Sequence, residues 1–277
     1  MSITEVANKA NEVRKDILRM ITKAGSGHPG GSLSSADILA ALYFGGVLRY
    51  DPSNPKAPER DYFIMSKGHA APALYATLAH AGFFLKDELM TLRQLGSRLQ
   101  GHPDSNLLES VEVSTGSLGQ GLSIASGLAS GLRLDSKSNT VFTLLGDGEC
   151  EEGQVWEAAN FAAHQNLGNL IAIVDVNGLQ IDGYCCNVCS SGDLADKFAA
   201  FGWEVSTVDG HDIAAMVELF SQLKAKAGST PHVVLAETTK GKDVSFMEDQ
   251  AGWHGKAPSE DQLAAALEEL MAKGGQA

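Results

Sequence analysis

Two apolar segments, each followed by a glycine and a polar residue, decide the fold of this chain. Residues 141–148 read VFTLLGDG, and residues 170–178 read LIAIVDVNG. Short apolar runs bounded by glycine or polar residues are typical of strands that are buried on both faces. We therefore predict buried strands at 141–145 and 170–174, with the polar residues lying just beyond the strand ends.

Further strands and helices alternate with these two segments. Apolar runs at 62–65 and 233–236 predict two more strands. Helical periodicity predicts helices near 3–24, from Ser34 or Ser35 onward, after residue 70, and near 117–132, 152–167, 193–201 and 212–227. Such alternation predicts an α/β fold with a doubly wound, mainly parallel sheet and helices on both faces. Because no proline- or serine-rich linker divides the chain, we expect one domain over residues 1–277, with a helical N-terminal lead and an acidic helical tail near 259–273.

The composition narrows the class of protein. Of 277 residues, 44% are hydrophobic and 20% are charged, which is ordinary for a globular protein. The net charge of −13 argues against a nucleic-acid binder and against a protein held on anionic lipid. Residues 1–17 lack the apolar core of a secretory signal, and the longest uncharged stretch, 113–132, is too rich in serine and glycine to span a membrane. We therefore expect a cytoplasmic protein.

Three of the four cysteines are close together, at Cys185, Cys186 and Cys189. Four cysteines in a chain of this length do not make a disulfide framework. A zinc site would need a second pair of ligands with recognisable spacing, and none is evident in the sequence. We expect reduced thiols.

Asp147 and Asn177 follow the two decisive strands. The carboxyl ends of neighbouring parallel strands meet at one edge of a sheet, so these side chains are expected to lie close together. Carboxylate and amide oxygens are ligands that suit Mg²⁺. The spacing alone also fits a purely structural role, with Asp147 capping the next helix and Asn177 in a turn.

Glycines flank five of the eight histidines. Glycine allows a close approach of the backbone to a ligand, while a neighbouring imidazole donates hydrogen bonds or moves protons. We assign His211 to a turn before a helix that Asp212 caps, and the remaining three, His80, His164 and His232, to core or surface. The four that we expect in ligand-binding loops are His28, His69, His102 and His254.

The motifs in their order resemble transketolase, in its N-terminal, diphosphate-binding half. They are SGHPGG (26–31), SKGHA (66–70), QLGSRLQGHP (94–103), STGSLGQG (114–121), LLGDGECEEGQVWEA (144–158), NLIAIVDVNGLQIDG (169–183) and GWHGKAP (252–258). The resemblance covers residues 5 to 260. It implies the thiamine diphosphate-binding fold, thiamine diphosphate and Mg²⁺ as cofactors, and transfer of a two-carbon ketol unit from a ketose to an aldose.

The resemblance also implies roles for individual residues. Asp147, Asn177 and the Leu179 carbonyl match the family's Mg²⁺ ligands. The cofactor-binding positions correspond to His69, Gly116, Ser117, Leu118, Gly148, Asn177, Lys240 and His254. His28, His69, His102 and His254 match catalytic histidines around the diphosphate and the reacting sugar. Glu152 and Glu157 match acids near the subunit boundary, although acids in the first turn of a helix also favour its dipole.

The family needs a second, pyrimidine-binding domain with a catalytic glutamate, and no second glycine-loop domain follows residue 260. The sequence therefore predicts one subunit of a split enzyme, with two copies of each chain, that is active only with its partner. Its sugar substrates remain open between pentose phosphates and an unusual ketose such as a sulfosugar or branched sugar phosphate.

Three other interpretations compete with this one. A nicotinamide-dependent dehydrogenase needs G-x-G-x-x-G directly after a strand, whereas the spacing here is Gly116-x-x-Gly119-x-Gly121. Another thiamine diphosphate enzyme, such as a deoxyxylulose phosphate synthase or an oxo-acid dehydrogenase subunit, stays open, although the SGHP and WHG segments favour transketolase. A regulatory subunit is disfavoured by the intact Asp147, Asn177 and loop histidines.

Overall fold

The four apolar runs form strands of one parallel sheet. In the computed structural model, which describes residues 1–226 and 228–274, the strands are β1 (Tyr62–Met65), β2 (Val141–Gly146), β3 (Leu170–Val176), β4 (Leu179–Gln180), β5 (Gly183–Tyr184), β6 (Glu204–Asp209) and β7 (His232–Glu237). Five of them pair in the order β1-β2-β3-β7-β6, all parallel, while β4 and β5 form a separate antiparallel hairpin. The strands predicted from apolar runs are confirmed.

Ten α-helices accompany these strands in the described part of the chain. They are α1 (Ile3–Ala24), α2 (Pro29–Ser34), α3 (Ala36–Phe44), α4 (Ala71–His80), α5 (Gln120–Leu134), α6 (Gly153–His164), α7 (Cys185–Val188), α8 (Leu194–Ala200), α9 (Ile213–Ala225) and α10 (Glu260–Gly274). Short 3₁₀ turns lie at Gly68–Ala70, Lys86–Thr91, Gly148–Glu151 and Ala251–Trp253. The last residue of the helix predicted at 212–227 and residues 275–277 of the predicted domain lie outside the described residues.

Helices cover both faces of the sheet. On β2, Phe142 and Leu144 belong to a buried apolar cluster that α1, α3, α4, α9 and α10 also supply. Val141 and Leu145, which alternate with them, belong to a second cluster with residues of α5, α6 and α8. Because successive side chains of a strand point to opposite faces, the sheet separates two cores. The predicted doubly wound α/β class is confirmed.

Strand β6 is the element that the apolar pattern missed. Its sequence, EVSTVD, holds only two valines, and no residue of it is fully buried. It lies at the edge of the sheet, pairs only with β7, and leaves the side chains on both of its faces partly exposed. The chain moves across the sheet in one direction from β2 to β3 and in the other from β6 to β7, and the right-handed crossover rule then places α6 and α9 on opposite faces.

The predicted helix start at Ser34 or Ser35 is confirmed for α3, whose N-cap is Ser35, but the short helix α2 before it was not predicted. Helix α2 already begins at Pro29, within the glycine-rich loop, because proline at the first helical position costs no hydrogen bond. Ser35 stands between α2 and α3 without a side-chain cap, and its hydroxyl donates instead to the Gly31 carbonyl at 2.7 Å. This early turn holds the loop of His28 close to the carboxyl edge of the sheet.

No helix in the described ranges is both long enough and apolar enough to cross a membrane.

Candidate active site

Loops that follow β1, β2, β3 and β7 enclose a cavity of about 290 Å³ at the carboxyl edge of the sheet. Ten of the residues predicted to form the site line this cavity: His69, His102, Gly116, Leu118, Asp147, Gly148, Asn177, Leu179, Lys240 and His254. They come from segments that are far apart in sequence. The parallel sheet brings them together because all its strands end at the same edge.

Asp147, Asn177 and Leu179, which we predicted as metal ligands, all line this cavity. Asp147 Oδ2 accepts the Gly178 N–H at 2.6 Å, which ties the loop after β2 to the loop after β3. Asn177 Nδ2 donates to Asp175 at 3.0 Å, and this contact sets which way the amide oxygen points. A carboxylate, an amide oxygen and a backbone carbonyl are the kind of donors that Mg²⁺ takes in proteins. The residues present therefore fit this ion.

A buried ion pair, formed by Lys67 and Asp175, contacts one of these residues, Asn177. Asp175 is fully buried and accepts hydrogen bonds from Lys67, Ser34, Thr238 and Asn177. Burial alone would raise the pKa of Asp175, but the charge of Lys67 and these hydrogen bonds outweigh it and hold the pKa below its ordinary value. Asp175 is thus an ionised anchor that fixes the orientation of Asn177.

Four histidines that we predicted in ligand-binding loops form one cluster. The ring centroids of His69 and His254 lie 5.1 Å apart, those of His28 and His254 5.6 Å, and those of His28 and His69 5.4 Å. His102 lies 6.3 Å from His28. The Nδ1 atoms of His28 and His254 are buried without a hydrogen-bond partner. Buried polar atoms are normally satisfied, so these two are suited to contact a bound ligand.

Burial and neighbouring cations keep these imidazoles neutral. Burial, followed by the charge of Arg93, lowers the pKa of His28 to about 4, and burial with the charge of Lys240 lowers the pKa of His254 to about 3. The pKa of His69 falls well below its usual value for the same reasons, and that of His102 is also lowered. At neutral pH the cluster therefore offers both N–H donors and ring-nitrogen acceptors.

Lys240 places a cation at the wall of the cavity. Its ammonium donates to the Leu179 carbonyl at 2.7 Å and is 2% exposed. Burial and the nearby charge of Lys67 lower the pKa of Lys240 to about 8. A buried cation of this kind is stabilised by an anion. The cavity therefore favours a negatively charged group such as a diphosphate.

Glycines allow the loops around the cavity to approach one another closely. Gly116 has a φ of 137°, and a Cβ atom there would lie 2.9 Å from the His102 ring. A Cβ atom at Gly68 would lie 2.6 Å from the Gly116 nitrogen. Ser117, by contrast, is exposed and does not line the cavity. Its predicted contact with a cofactor is therefore not evident from the cavity itself.

Glu152 and Glu157 lie outside the cavity. Both are exposed, at the N-terminus and in the second turn of α6. Their predicted place at a subunit boundary stays a prediction. The glutamate that does line the cavity is Glu149, which accepts hydrogen bonds from Ser66, Gly119 and Gly146.

Sequence reasoning missed three charged residues of the site: Lys67, Glu149 and Arg93. Lys67 and Glu149 line the cavity and stand inside motifs already noted, SKGHA and GDGECEE, so the motifs themselves were the available signal. Arg93 has a φ of 59° and donates to Ser26 at 2.8 Å and to Gly101 at 3.4 Å. It thereby joins the loops of His28 and His102, a contact that no local pattern indicates.

The assignment of His211 to a simple turn is incomplete. Asp212 does cap α9, through a hydrogen bond from the Ala215 N–H. The His211 ring, however, bridges Asp37 and the Thr239 N–H, each at 2.8 Å. The bridge went unseen because its partners are 174 and 28 residues away.

A second cavity, of about 500 Å³, adjoins the first across Asp147. Its walls include Cys185, Cys186 and Glu237. The cysteines are free thiols, and within residues 1–226 and 228–274 no three histidine, cysteine or acidic side chains are grouped as a metal site. Burial raises the pKa of Cys185 to about 12, so this thiol is protonated at neutral pH.

The fold and the cavity define the class of thiamine diphosphate-binding α/β proteins, and comparison with known proteins makes the class specific. The family described as "Transketolase, thiamine diphosphate binding domain" matches residues 6–274. The chain belongs to the transketolase family, and the predicted enzyme class, a transferase of this family, is confirmed.

Two subunit-sized relatives match nearly end to end. The 6-deoxy-6-sulfo-D-fructose transketolase subunit of Clostridium sp. (strain MSTE9) is 44% identical over 98% of both chains. An apulose-4-phosphate transketolase subunit of Actinobacillus succinogenes is 41% identical over 98% of this chain and 97% of that one. The solved transketolase of Campylobacter jejuni superposes with a TM-score of 0.90 at 34% identity, covering 98% of this chain and 43% of that one. The chain thus corresponds to the N-terminal part of single-chain transketolases and to a whole subunit of the two-subunit relatives.

Proposed function

We propose that this chain is the diphosphate-binding subunit of a cytoplasmic transketolase that depends on thiamine diphosphate and Mg²⁺. The observation that carries the proposal is that Asp147, Asn177 and Leu179 line one cavity together with Lys240 and three histidines of the cluster, His69, His102 and His254. Each feature alone has structural explanations. Together they combine oxygen donors that suit a metal ion with a buried ammonium group that suits an anion. This combination is suited to a diphosphate with a bound metal ion.

The oxygen donors and Lys240 would hold the cofactor's charged end. Asp147, Asn177 and Leu179 would supply ligands to Mg²⁺, while Lys240 and His69 would contact the diphosphate. Gly116, Ser117, Leu118 and Gly148 would bring backbone close to it, as glycine-rich loops do for phosphates. When bound, thiamine diphosphate supplies the nucleophilic carbon that accepts the two-carbon ketol unit of a ketose and passes it to an aldose.

The histidine cluster would act on the sugar. His28, His102 and His254 are neutral at physiological pH, so each can donate one hydrogen bond and accept another. These groups would orient the sugar hydroxyls and carry protons from one oxygen to the next as the carbon–carbon bond breaks and re-forms.

A separate polypeptide would complete the site. The relatives of matching length are named as subunits, and the family resemblance implies a pyrimidine-binding domain with a catalytic glutamate. We propose an assembly of two copies of each chain, with Glu152 and Glu157 near a boundary between subunits. The partner would cover the open side of the cavity.

An unusual ketose is the favoured substrate class over pentose phosphates. Two relatives that match over almost their whole length are named for a sulfonated sugar and for a branched sugar phosphate, apulose 4-phosphate. Both substrates are ketoses with a terminal anion. The groups that select this anion would lie mainly on the partner, so the chain itself fixes the chemistry and leaves the choice of sugar to the assembly.

The proposal is tested by reconstitution. The chain is mixed with the pyrimidine-binding subunit, thiamine diphosphate and Mg²⁺, and ketose donors are screened by the release of the shortened aldose. We expect ketol transfer only when both polypeptides and both cofactors are present. Ketol transfer by the purified chain alone would refute the split-subunit proposal, and an inactive but correctly assembled mixture across sulfonated, branched and pentose substrates would refute the reaction.

A further inference from the structure

The segment that carries Lys240 is anchored at every residue from Thr238 to Gly241. Its anchors include the contacts of Thr238 N–H with the Val176 carbonyl at 3.0 Å, Thr239 N–H with His211 Nε2 at 2.8 Å, Lys240 Nζ with the Leu179 carbonyl at 2.7 Å, and Gly241 N–H with the Gly30 carbonyl at 3.0 Å. The Thr238 hydroxyl also donates to Asp175, and the Lys240 carbonyl accepts the Asp249 N–H at 2.9 Å. Among the three backbone N–H groups named first, those of Thr238 and Gly241 donate to backbone carbonyls. The Thr239 N–H donates to a side chain, the imidazole of His211, so the strength of this hydrogen bond depends on which ring nitrogen carries the proton.

The hydrogen bonds of His211 fix its tautomer. Nε2 accepts the Thr239 N–H and must therefore lack a proton, which leaves the proton on Nδ1. Nδ1 lies 2.8 Å from Asp37 Oδ2 and donates to it. His211 thus connects two groups: its Nε2 accepts the Thr239 N–H, and its Nδ1–H donates to the Asp37 carboxylate.

Asp37 is itself held in place by a buried arginine, Arg14. Its two carboxylate oxygens accept from Arg14 at 2.9 and 2.5 Å, and the pair is buried between α1 and α3. Burial alone would raise the pKa of Asp37, but the Arg14 charge outweighs it and lowers the pKa to about 2. A carboxylate that stays ionised and immobile holds the imidazole in one orientation.

The loops of His211 and Lys240 also touch directly. Gly210 N–H donates to the Glu237 carbonyl at 2.7 Å, and a Cβ atom at Gly210 would lie only 2.4 Å from Thr238 Cγ2. This close approach brings the loop that carries His211 next to Thr238 and Thr239. Charged groups around the ring also include Lys242 and Asp243, which line the small surface cavity on its open side.

We propose that His211 is a positioning residue for the cofactor site: by accepting the Thr239 N–H it fixes the backbone from which Lys240 reaches the diphosphate pocket. This inference rests on the proposed function, because it gives Lys240 a diphosphate to bind. His211 itself lies outside the cavity and touches no proposed ligand. It acts through Thr239 and through the Asp37–Arg14 pair behind it.

Two conservative substitutions separate the two hydrogen bonds of the ring. In His211→Gln the side-chain amide reaches the place of Nε2 and still accepts the Thr239 N–H. In His211→Asn the amide reaches only the place of Nδ1 and still donates to Asp37. We expect His211→Asn to raise the Kd for Mg²⁺-thiamine diphosphate about tenfold, the effect of one lost hydrogen bond, and His211→Gln to raise it less than about threefold. Equal losses in both variants would overturn the inference, since a merely structural bridge is cut in either.

A coupling experiment tests whether the effect passes through Lys240. The Kd of Lys240→Met is compared with that of the double variant Lys240→Met/His211→Asn by titration calorimetry on the full chain. If His211 acts through Lys240, the second substitution adds no further loss, whereas additive losses contradict the inference. The same Gln and Asn substitutions at His164, which is exposed at the end of α6, are the matched control and should leave the Kd unchanged.

A readout without cofactor keeps the inference independent of the proposed function. In ¹⁵N NMR spectra of the wild-type chain, His211 should carry its proton on Nδ1, and the Thr239 amide should exchange with solvent more slowly than in His211→Asn. A proton on Nε2 would overturn the inference whatever the cofactor does. If instead wild-type chain and partner together do not bind Mg²⁺-thiamine diphosphate, the proposed function fails while the ring tautomer still reports on His211.

Discussion

Asp147 is the single side chain on which the proposed metal site depends most. It is 8% exposed, and its carboxylate accepts two backbone N–H groups while facing the cavity. We predict that Asp147→Asn, which keeps the shape and removes the charge, weakens Mg²⁺-dependent binding of thiamine diphosphate at least about tenfold. Titration calorimetry with and without Mg²⁺ measures this. Asp182→Asn, a charge removed from an exposed turn, is the control, and equal affinities in the two variants would mean that the metal ligand is misassigned.

The buried histidines predict how stability depends on pH. Their pKa is about 6.5 in the unfolded chain, but about 4 for His28 and about 3 for His254 in the folded one. Below pH 6.5 the unfolded chain therefore binds more protons, so the stability contributed by these neutral rings is present above that pH and is lost as the pH falls toward 4.

His254→Gln should accordingly flatten this pH dependence. We expect the urea midpoint of the variant to fall less between about pH 7 and about pH 5 than that of the wild type, because one depressed pKa is gone. His164→Gln, at an exposed position, serves as the comparison and should keep the wild-type slope. Identical slopes in all three proteins would contradict the buried, neutral state of His254.

At the scale of single residues, the site residues that could be predicted from the sequence are those that directly follow a strand or stand next to a glycine. Asp147 and Asn177 could be predicted because buried runs mark the strand ends before them. The contact of Arg93 with Ser26 and Gly101 could not be, because it depends on how two loops pack in space.

Among the elements, α5 shows how a glycine can be required at one place and not at another on the same helix. A Cβ atom at Gly121 would lie 2.3 Å from Ser66 Oγ and 2.6 Å from Ser66 Cα, whereas nothing lies within 4 Å of one at Gly127. The first turn of α5 therefore packs directly on the loop after β1.

We predict opposite effects of alanine at these two positions. Gly121→Ala should lower the free energy of unfolding by about 1–3 kcal/mol through overpacking, and Gly127→Ala should raise it by about 0.5–1 kcal/mol through helix propensity. Urea unfolding of the isolated chain measures both. Destabilisation by Gly127→Ala equal to that of Gly121→Ala would show that the spacing at Gly121 is not the cause.

Element prediction succeeded where burial on both faces leaves an unbroken apolar run, as in β2 and β3. It failed for β6, because no residue of this strand is fully buried and its sequence mixes valine with polar residues. It also missed α2, a short helix that begins at Pro29 inside a glycine-rich loop.

Across the molecule as a whole, the helix pair α5 and α6 presents exposed apolar side chains. Phe161 is 42% exposed and Leu134 is 84% exposed, on the same face of the sheet as Glu157 of α6. We predict that this surface is buried when the proposed assembly forms, so that Phe161→Glu lowers the mass of the chain–partner complex in light scattering. Met271→Glu, an equally exposed apolar side chain on α10, should leave the mass unchanged. The same loss of mass in both variants would argue against α6 as the interface.

At the scale of the whole molecule, the fold class could be predicted from the sequence, but the order of the strands in the sheet could not. Alternating strands and helices indicate a doubly wound sheet. The order β1-β2-β3-β7-β6 could not be predicted, because it depends on where β6 joins, and that strand has no apolar signature. The half of the proposed site that we assign to a partner subunit would have no signal in this sequence.

The central proposal is that the ends of β2 and β3 hold a metal ion bound to the diphosphate of the cofactor. The most direct measurement is the anomalous diffraction of Mn²⁺, substituted for Mg²⁺, in crystals of the chain with its partner and thiamine diphosphate. We predict one strong peak at coordination distance from Asp147, Asn177 and the Leu179 carbonyl. A peak elsewhere in the cavity, or none beside a bound cofactor, would contradict the account.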